Sequence, residues 1–96
     1  MDATPALDLL MGAYFHQDWD VEADSDAGIV DLFIEGEPAA ALRLPGEIGC
    51  VLRELESEAD LQHYLVDVLG SCYLADNYRL WLTRIAERVR RATESD

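Results

Sequence analysis

The sequence predicts an all-α fold, a compact single-domain bundle of about five helices that spans residues 1–96. Apolar residues recur at helical spacing in five segments of the chain. No segment alternates between apolar and polar residues for long enough to predict a strand. Half of the residues are hydrophobic, which suffices for one modest core at this chain length.

The first helix is predicted to begin at Thr4 and Pro5, with Thr4 as the N-cap and Pro5 at the first helical position. The apolar residues that follow at positions i, i+3, i+4 and i+7 are Leu7, Leu10, Met11 and Tyr14. This helix should end near Phe15. Residues 16–24 have no sustained helical period and many like charges, so they are predicted to form a loop.

Ser25 is the predicted N-cap of the second helix, which should end near Gly36. Its inner face consists of Ile29, Val30, Phe33 and Ile34. Pro38 begins a third element, whose apolar residues in helical phase are Ala41, Leu44, Ile48, Val51, Leu52 and Leu55. Because an interior proline removes a helical hydrogen bond, Pro45-Gly46 predicts a kink or two short helices.

Ser57 and Asp60 resemble a capping box at the start of the fourth helix, which Gly70 should end. Asp76 or Asn77 can cap the last helix. The apolar face of that helix consists of Tyr78, Trp81, Leu82, Ile85 and Val89. Its arginines Arg84, Arg88 and Arg91 lie along another side, where they could pair with acidic residues of the N-terminal half.

Acidic residues outnumber basic ones 20 to 7, which gives a net charge of −13, and they are unevenly placed. Residues 1–42 contain ten acids and no Lys or Arg, and lysine is absent from the whole chain. Nucleic acids and anionic membranes repel such a chain, so neither is an expected partner. Cationic protein surfaces are the natural partners, although most runs of like charge are simply solvated surfaces.

The chain is expected to be cytoplasmic. No apolar run approaches the roughly 20 residues of a membrane span. The start of the sequence, Met1-Asp2-Ala3-Thr4-Pro5, lacks the basic and apolar regions of a signal peptide. Cys50 and Cys72 form no C-x-x-C pair, and they are predicted to be reduced, buried small residues.

The alternating acids after residue 17 resemble a calcium-binding EF-hand loop only superficially. In the register that starts at Asp18, Ala23 replaces the glycine of the sharp turn and Ile29 replaces the bidentate glutamate. The register that starts at Asp20 places Ser25 at the glycine position and Asp31, a shorter carboxylate, at the position of the bidentate glutamate. No spacing of His and Cys fits a zinc site, and no nucleophile motif or phosphate-binding glycine loop is present. We therefore expect no catalytic residue, metal, cofactor or small-molecule ligand.

The segment Tyr14-Phe15-His16-Gln17-Asp18-Trp19-Asp20 resembles the opening motif of immunity proteins from bacterial contact-dependent growth inhibition systems. The similarity continues through residues 29–34, 41–48, 69–73 and 78–82, and so covers nearly the whole chain in order. Pro45-Gly46 departs from the family pattern, in which this region is more continuously helical. The resemblance implies a protein that binds the C-terminal toxin domain of a large secreted effector and blocks its activity.

Many toxin domains of this kind are nucleases with cationic grooves, which an acidic surface could occupy as phosphates do. The residues expected to bind the toxin domain are Asp18, Trp19, Asp20, Glu22, Asp24, Asp26, Asp31 and Glu35. Trp19 is either an interface anchor among these acids or a core residue between the first two helices. If Tyr14, Phe15 and His16 also serve only the fold, the toxin binds elsewhere.

Two other function classes remain open. Asp24-Ser25 at the start of a helix resembles the phosphopantetheine site of acyl carrier proteins, although Asp26 replaces the apolar residue of that motif. A carrier or adaptor module modified at Ser25 is therefore the main alternative. A general nucleic-acid mimic is the third, and it predicts binding to many cationic proteins rather than to one toxin.

Overall fold

A computed structural model describes residues 4–94, which form an all-α domain with no strand in that range, as predicted. The six helices within it are α1 (Pro5–Leu9, continued with π-helical hydrogen bonding by Leu10–Tyr14), α2 (Trp19–Glu22), α3 (Asp26–Gly36), α4 (Pro38–Glu54), α5 (Glu58–Gln62, continued in the same way by His63–Val68) and α6 (Tyr78–Glu94). The one-turn helix α2 lies inside the predicted loop. Residues 1–3, to which part of the signal-peptide argument applies, and residues 95–96 lie outside the described range.

Helix α4 runs through Pro45 as one helix, so the predicted alternative of two short helices is wrong. Leu44 and Ile48, on either side of the proline, are almost completely buried. Burial of each such side chain contributes about 1.5–3 kcal/mol, which together offsets the roughly 3 kcal/mol cost of an interior proline. Contacts of α4 with α1, α3 and α6 supply this burial.

The predicted caps at three helix starts are confirmed. The hydroxyl of Ser25 accepts a hydrogen bond from the backbone N–H of Gly28 at 3.2 Å, and that of Ser57 accepts one from Asp60 at 3.1 Å. Asn77 caps α6 by accepting from the N–H of Leu80 at 2.9 Å.

The first helix is capped in another way than predicted. The Thr4 side chain makes no cap hydrogen bond, because its hydroxyl is bonded to the hydroxyl of Tyr64. Instead, the carboxylate of Glu47 in α4 accepts hydrogen bonds from the backbone N–H groups of Ala6 at 3.2 Å and Leu7 at 2.9 Å. A negative charge at this end of a helix is favourable, so α4 fixes the start of α1.

Helix α6 is joined to the end of α4 and the start of α5 by two charged residues. The carboxylate of Glu58 accepts hydrogen bonds from the backbone N–H groups of Tyr78 at 2.6 Å and Arg79 at 3.0 Å. The guanidinium of Arg79 donates to the backbone carbonyls of Leu52 at 3.1 Å and Leu55 at 2.6 Å, at the end of α4. Free groups at both helix ends are thus satisfied by side chains from elsewhere in the fold.

One apolar core collects the predicted inner faces of the first three helices and the whole predicted face of α6, whereas Val68, expected on the inner face of the fourth helix, is exposed. Gly70, with φ +81°, follows α5 as predicted. Both cysteines are free thiols, but the predicted burial is wrong: Cys50 is half-buried and Cys72 is exposed. Cys72 lies in the non-helical segment after Gly70, where only its backbone N–H bonds inward, to the carbonyl of Phe15 at 2.8 Å. No helix within residues 4–94 is long and apolar enough to cross a membrane.

Candidate functional site

The acidic turn, defined here as residues 18–24, carries exposed carboxylates on a short helix. Asp18, Asp20 and Asp24 have no ion-pair partner in the part of the chain that the structure describes. Glu22 alone among the turn's acids lies close to a histidine nitrogen within the described residues, the Nε2 atom of His16 at 3.2 Å. The Nδ1 atom of the same ring accepts a hydrogen bond from the N–H of Asp18 at 3.0 Å, so Nε2 carries the proton that faces Glu22.

Trp19 lies half-buried at the start of α2 and packs against the core, in agreement with the packing interpretation. Its indole makes edge contacts with the rings of Phe15, at a centroid distance of 6.2 Å, and Tyr73, at 5.2 Å. Its side chain is partly exposed, and the neighbouring residues Asp18 and Asp20 are exposed. The same side chain therefore anchors the acidic turn to the core and presents an apolar surface among its acids.

Five rings form an aromatic cluster under the acidic turn: Phe15, Trp19, Tyr73, Tyr78 and Trp81. Tyr73 is stacked on Trp81, with centroids 4.6 Å apart and planes at 21°. No periodic pattern in the sequence marks Tyr73 as a site residue, because it lies in a non-helical segment. Burial, together with the negative charges of Asp26 and Asp76, raises the pKa of its hydroxyl.

The acids at the end of α3 approach the acidic turn across Tyr14. This ring packs edge-on against Phe33 at 5.3 Å, and burial followed by the charges of Glu37 and Glu22 raises the pKa of its hydroxyl. Glu22 belongs to the acidic turn, and Glu37 follows α3 directly. Glu35, a predicted binding residue in the last turn of α3, is exposed and has no ion pair within residues 4–94.

Two of the predicted binding residues, Asp26 and Asp31, face α6, and their carboxylates already have hydrogen-bond partners within the chain. Asp26 accepts a hydrogen bond from the indole N–H of Trp81 at 2.9 Å. Asp31 forms a two-bond ion pair with Arg88, in which both N–O distances are 2.8 Å. This pair confirms that an arginine of the last helix pairs with the acidic half, and its hydrogen bonds hold the pKa of Asp31 below the usual value.

A groove of about 600 Å³ runs between α3 and α6 beside these contacts. Ala27, half-buried on α3, and Ala92, exposed on α6, contribute apolar surface to its lining. The Asp31–Arg88 pair lies along it, and Arg84 and Arg91 add two further guanidinium groups. No three His, Cys, Asp or Glu side chains over the described range are close enough together to hold a metal ion.

A family model described as CdiI immunity protein matches residues 3–89, a range that contains the acidic turn, the aromatic cluster and most of the groove. No similar protein was found among curated proteins, and no similar fold among solved structures.

Proposed function

The chain belongs to the CdiI immunity protein family, and from this we propose that it neutralises the toxin domain of its own contact-dependent growth inhibition system through the acidic turn and the accessible edge of Trp19. Family membership is the observation that carries the immunity role. The charges and contacts around the acidic turn support the choice of surface. Inhibition then requires only binding, in the cytoplasm of the cell that makes the toxin, and no chemistry by this chain.

The unpaired carboxylates of the acidic turn are the first support for this surface. Asp18, Asp20 and Asp24 repel one another and have no cation of their own chain to offset that repulsion within residues 4–94. A cationic partner surface removes this unfavourable energy on binding, and the net charge of −13 accelerates the encounter.

The aromatic residues beneath the acids are the second support. Residues that dominate binding energy at interfaces are enriched in Trp and Tyr, and they are usually surrounded by polar groups that exclude water. Trp19 and Tyr73 are both half-buried and in contact, so their rings are held in place before a partner arrives. A pre-ordered ring loses little conformational entropy on binding.

We propose a nuclease as the toxin, because a nuclease groove is built to hold a row of negative charges. Carboxylates of the acidic turn would take the places of phosphates in that groove and exclude the substrate. Within this arrangement Asp26, Asp31 and Glu35 lie at the margin of the contact. Asp26 and Asp31 already bind Trp81 and Arg88, so their carboxylates have less to gain from a new cation.

The test is co-expression with the C-terminal domain of the reading frame immediately upstream, scoring growth and complex formation together. That domain should stop growth alone, and this protein should restore growth and co-purify with it. Degradation of cellular DNA or RNA by the domain alone, prevented by this protein, would support the nuclease assignment. A domain that is harmless alone, or one that still kills while binding nothing, would overturn the proposal for this pair.

A further inference from the structure

We infer that the groove between α3 and α6 is a second part of the toxin interface, where Arg84 and Arg91 bind a carboxylate-bearing segment of the toxin domain. This inference rests on the proposed function and adds a residue-level requirement on the partner. The acidic turn favours positively charged residues on the toxin domain. The groove favours a negatively charged residue on the toxin domain, at a fixed place beside those positive charges.

The two arginines are the first observation. Arg84 and Arg91 are exposed, and neither forms an ion pair in the range from residue 4 to residue 94, although acids outnumber bases almost three to one in the sequence. Glu87 lies between them on α6 and lines the same groove, yet it pairs with neither. A guanidinium group presents a planar fork of donors that matches a carboxylate.

The lining of the groove is the second observation. Ala27 and Ala92 provide accessible apolar surface for the aliphatic part of an incoming side chain. The Asp31–Arg88 pair is already neutralised by its two hydrogen bonds, so it does not satisfy the two remaining guanidinium groups. Of the other two acids in the lining, Asp26 already accepts a hydrogen bond from Trp81 and Glu87 forms no ion pair, so Arg84 and Arg91 are left without a carboxylate partner in the described chain.

The groove also adjoins the surface proposed above. Asp26 lines the groove and accepts the hydrogen bond from Trp81, a member of the aromatic cluster. Arg84 lines the groove as well, and its charge acts on the hydroxyl of Tyr73 in that cluster. One partner domain seated on the acidic turn and Trp19 can thus reach into the groove.

This arrangement explains how an acidic inhibitor can discriminate between toxins. A uniformly acidic surface would bind many cationic grooves, whereas exposed arginines beside it repel a partner that offers only cations there. Nucleases that use metal ions combine a cationic groove with acidic metal ligands, which is the mixed pattern that this surface complements.

The experiment compares toxin affinities of Arg84→Glu, Arg91→Glu and the control Arg43→Glu by isothermal titration calorimetry. Arg43 is exposed on α4, forms no ion pair in the described chain, and does not line the groove. All three variants add the same negative charge, so a merely electrostatic attraction to a cationic toxin predicts equal or tighter binding for all of them. The inference predicts about tenfold or greater weakening for the two groove variants only.

Arg84→Gln removes the charge without reversing it and should weaken binding by a smaller factor. Far-UV circular dichroism and urea unfolding identify any variant that loses its fold. Groove variants that bind as tightly as Arg43→Glu would overturn the inference and leave the proposed function intact. A wild-type protein that does not bind the toxin domain would overturn both.

Discussion

Asp26 and Trp81 are joined by a hydrogen bond of 2.9 Å from the indole Nε1–H to a carboxylate oxygen, although they lie 55 residues apart. Asp26 begins α3, immediately after the acidic turn, and Trp81 lies in the first turn of α6. Trp81 also stacks on Tyr73, which contacts Trp19. This bond therefore connects the acidic N-terminal half to the aromatic cluster and to the arginine-bearing helix.

Removing this bond should destabilise the fold. Asp26→Ala leaves the indole N–H of the buried Trp81 without its acceptor, which costs about 1–2 kcal/mol in the free energy of unfolding. Asp24→Ala is the control, because Asp24 is exposed and its side chain has no partner in the described chain. Urea unfolding at neutral pH measures both. Equal stability of the two variants would contradict the structural role assigned to Asp26.

The Asp31–Arg88 pair predicts a pH-dependent contribution to stability. Because hydrogen bonds from Arg88 lower the pKa of Asp31 from its ordinary 3.8, the pair stabilises the fold above that pKa and loses its contribution as the pH falls through the lower folded-state value. Both side chains are about half exposed, so the contribution is at most about 1 kcal/mol. The difference in unfolding free energy between wild type and Asp31→Asn should be present at pH 6 and decline progressively as the pH falls below 3.8. A difference that persists unchanged in acid would rule out the ion pair as its source.

Glu47, a residue of α4, should stabilise the protein by capping the start of α1. Glu47→Ala removes the acceptor for the N–H groups of Ala6 and Leu7 and should lower the unfolding free energy by about 0.5–2 kcal/mol. Glu35→Ala is the matched control, since Glu35 is exposed and caps no helix. Chemical denaturation followed by circular dichroism measures the two. If both variants unfold at the same urea concentration, the cap is energetically unimportant.

Trp19 should contribute to toxin binding beyond its contribution to the fold. Trp19→Ala is expected to weaken toxin binding by about 2 kcal/mol or more, as at other interface hot spots, while Trp19→Phe should retain part of the affinity. Leu42→Ala, on α4 outside the acidic turn, is the control because Leu42 is 68% exposed and is not part of the core. Surface plasmon resonance on folded variants gives the affinities. Unchanged binding by Trp19→Ala would leave the packing interpretation as the whole role of this residue.

Salt should slow the encounter between the two proteins. Attraction between an acidic surface and a cationic groove is screened over about 10 Å at 0.1 M salt, so the association rate should fall steeply as ionic strength rises. The dissociation rate should change far less. Stopped-flow measurements of Trp fluorescence at several salt concentrations can separate the two rates, and an association rate independent of salt would argue against electrostatic steering.

The features that the sequence predicted are those set by neighbouring residues. Helical faces follow from spacing within one segment. The hydroxyls of Ser25 and Ser57 accept their cap hydrogen bonds from N–H groups only three residues further along the chain. The caps that were missed join distant parts of the chain: Glu47 lies about 40 residues from the helix it caps, and Glu58 about 20. No local pattern distinguishes such a glutamate from a solvated one.

Prediction of the candidate site from the sequence is limited in the same way, because local patterns do not show which distant segments pack together. The acids of the turn are visible in the sequence because they recur at alternate positions of one short segment. Tyr73 and the groove, in contrast, depend on how α3, α6 and the segment after Gly70 pack together. Pro45 is the converse case, since a strong local signal for a break is overridden by burial of Leu44 and Ile48. Local rules are reliable where tertiary packing does not oppose them.

The most direct test of the proposed surface is the toxin affinity of Asp20→Lys/Asp24→Lys, measured by calorimetry beside the control Glu54→Lys/Glu56→Lys. Both double variants reduce the net negative charge equally, but the control residues are exposed acids at the far end of α4 and the turn after it. Our account predicts that reversal in the acidic turn weakens binding by at least an order of magnitude more than the control does. Equal affinities for the two variants would contradict the assignment of toxin binding to the acidic turn.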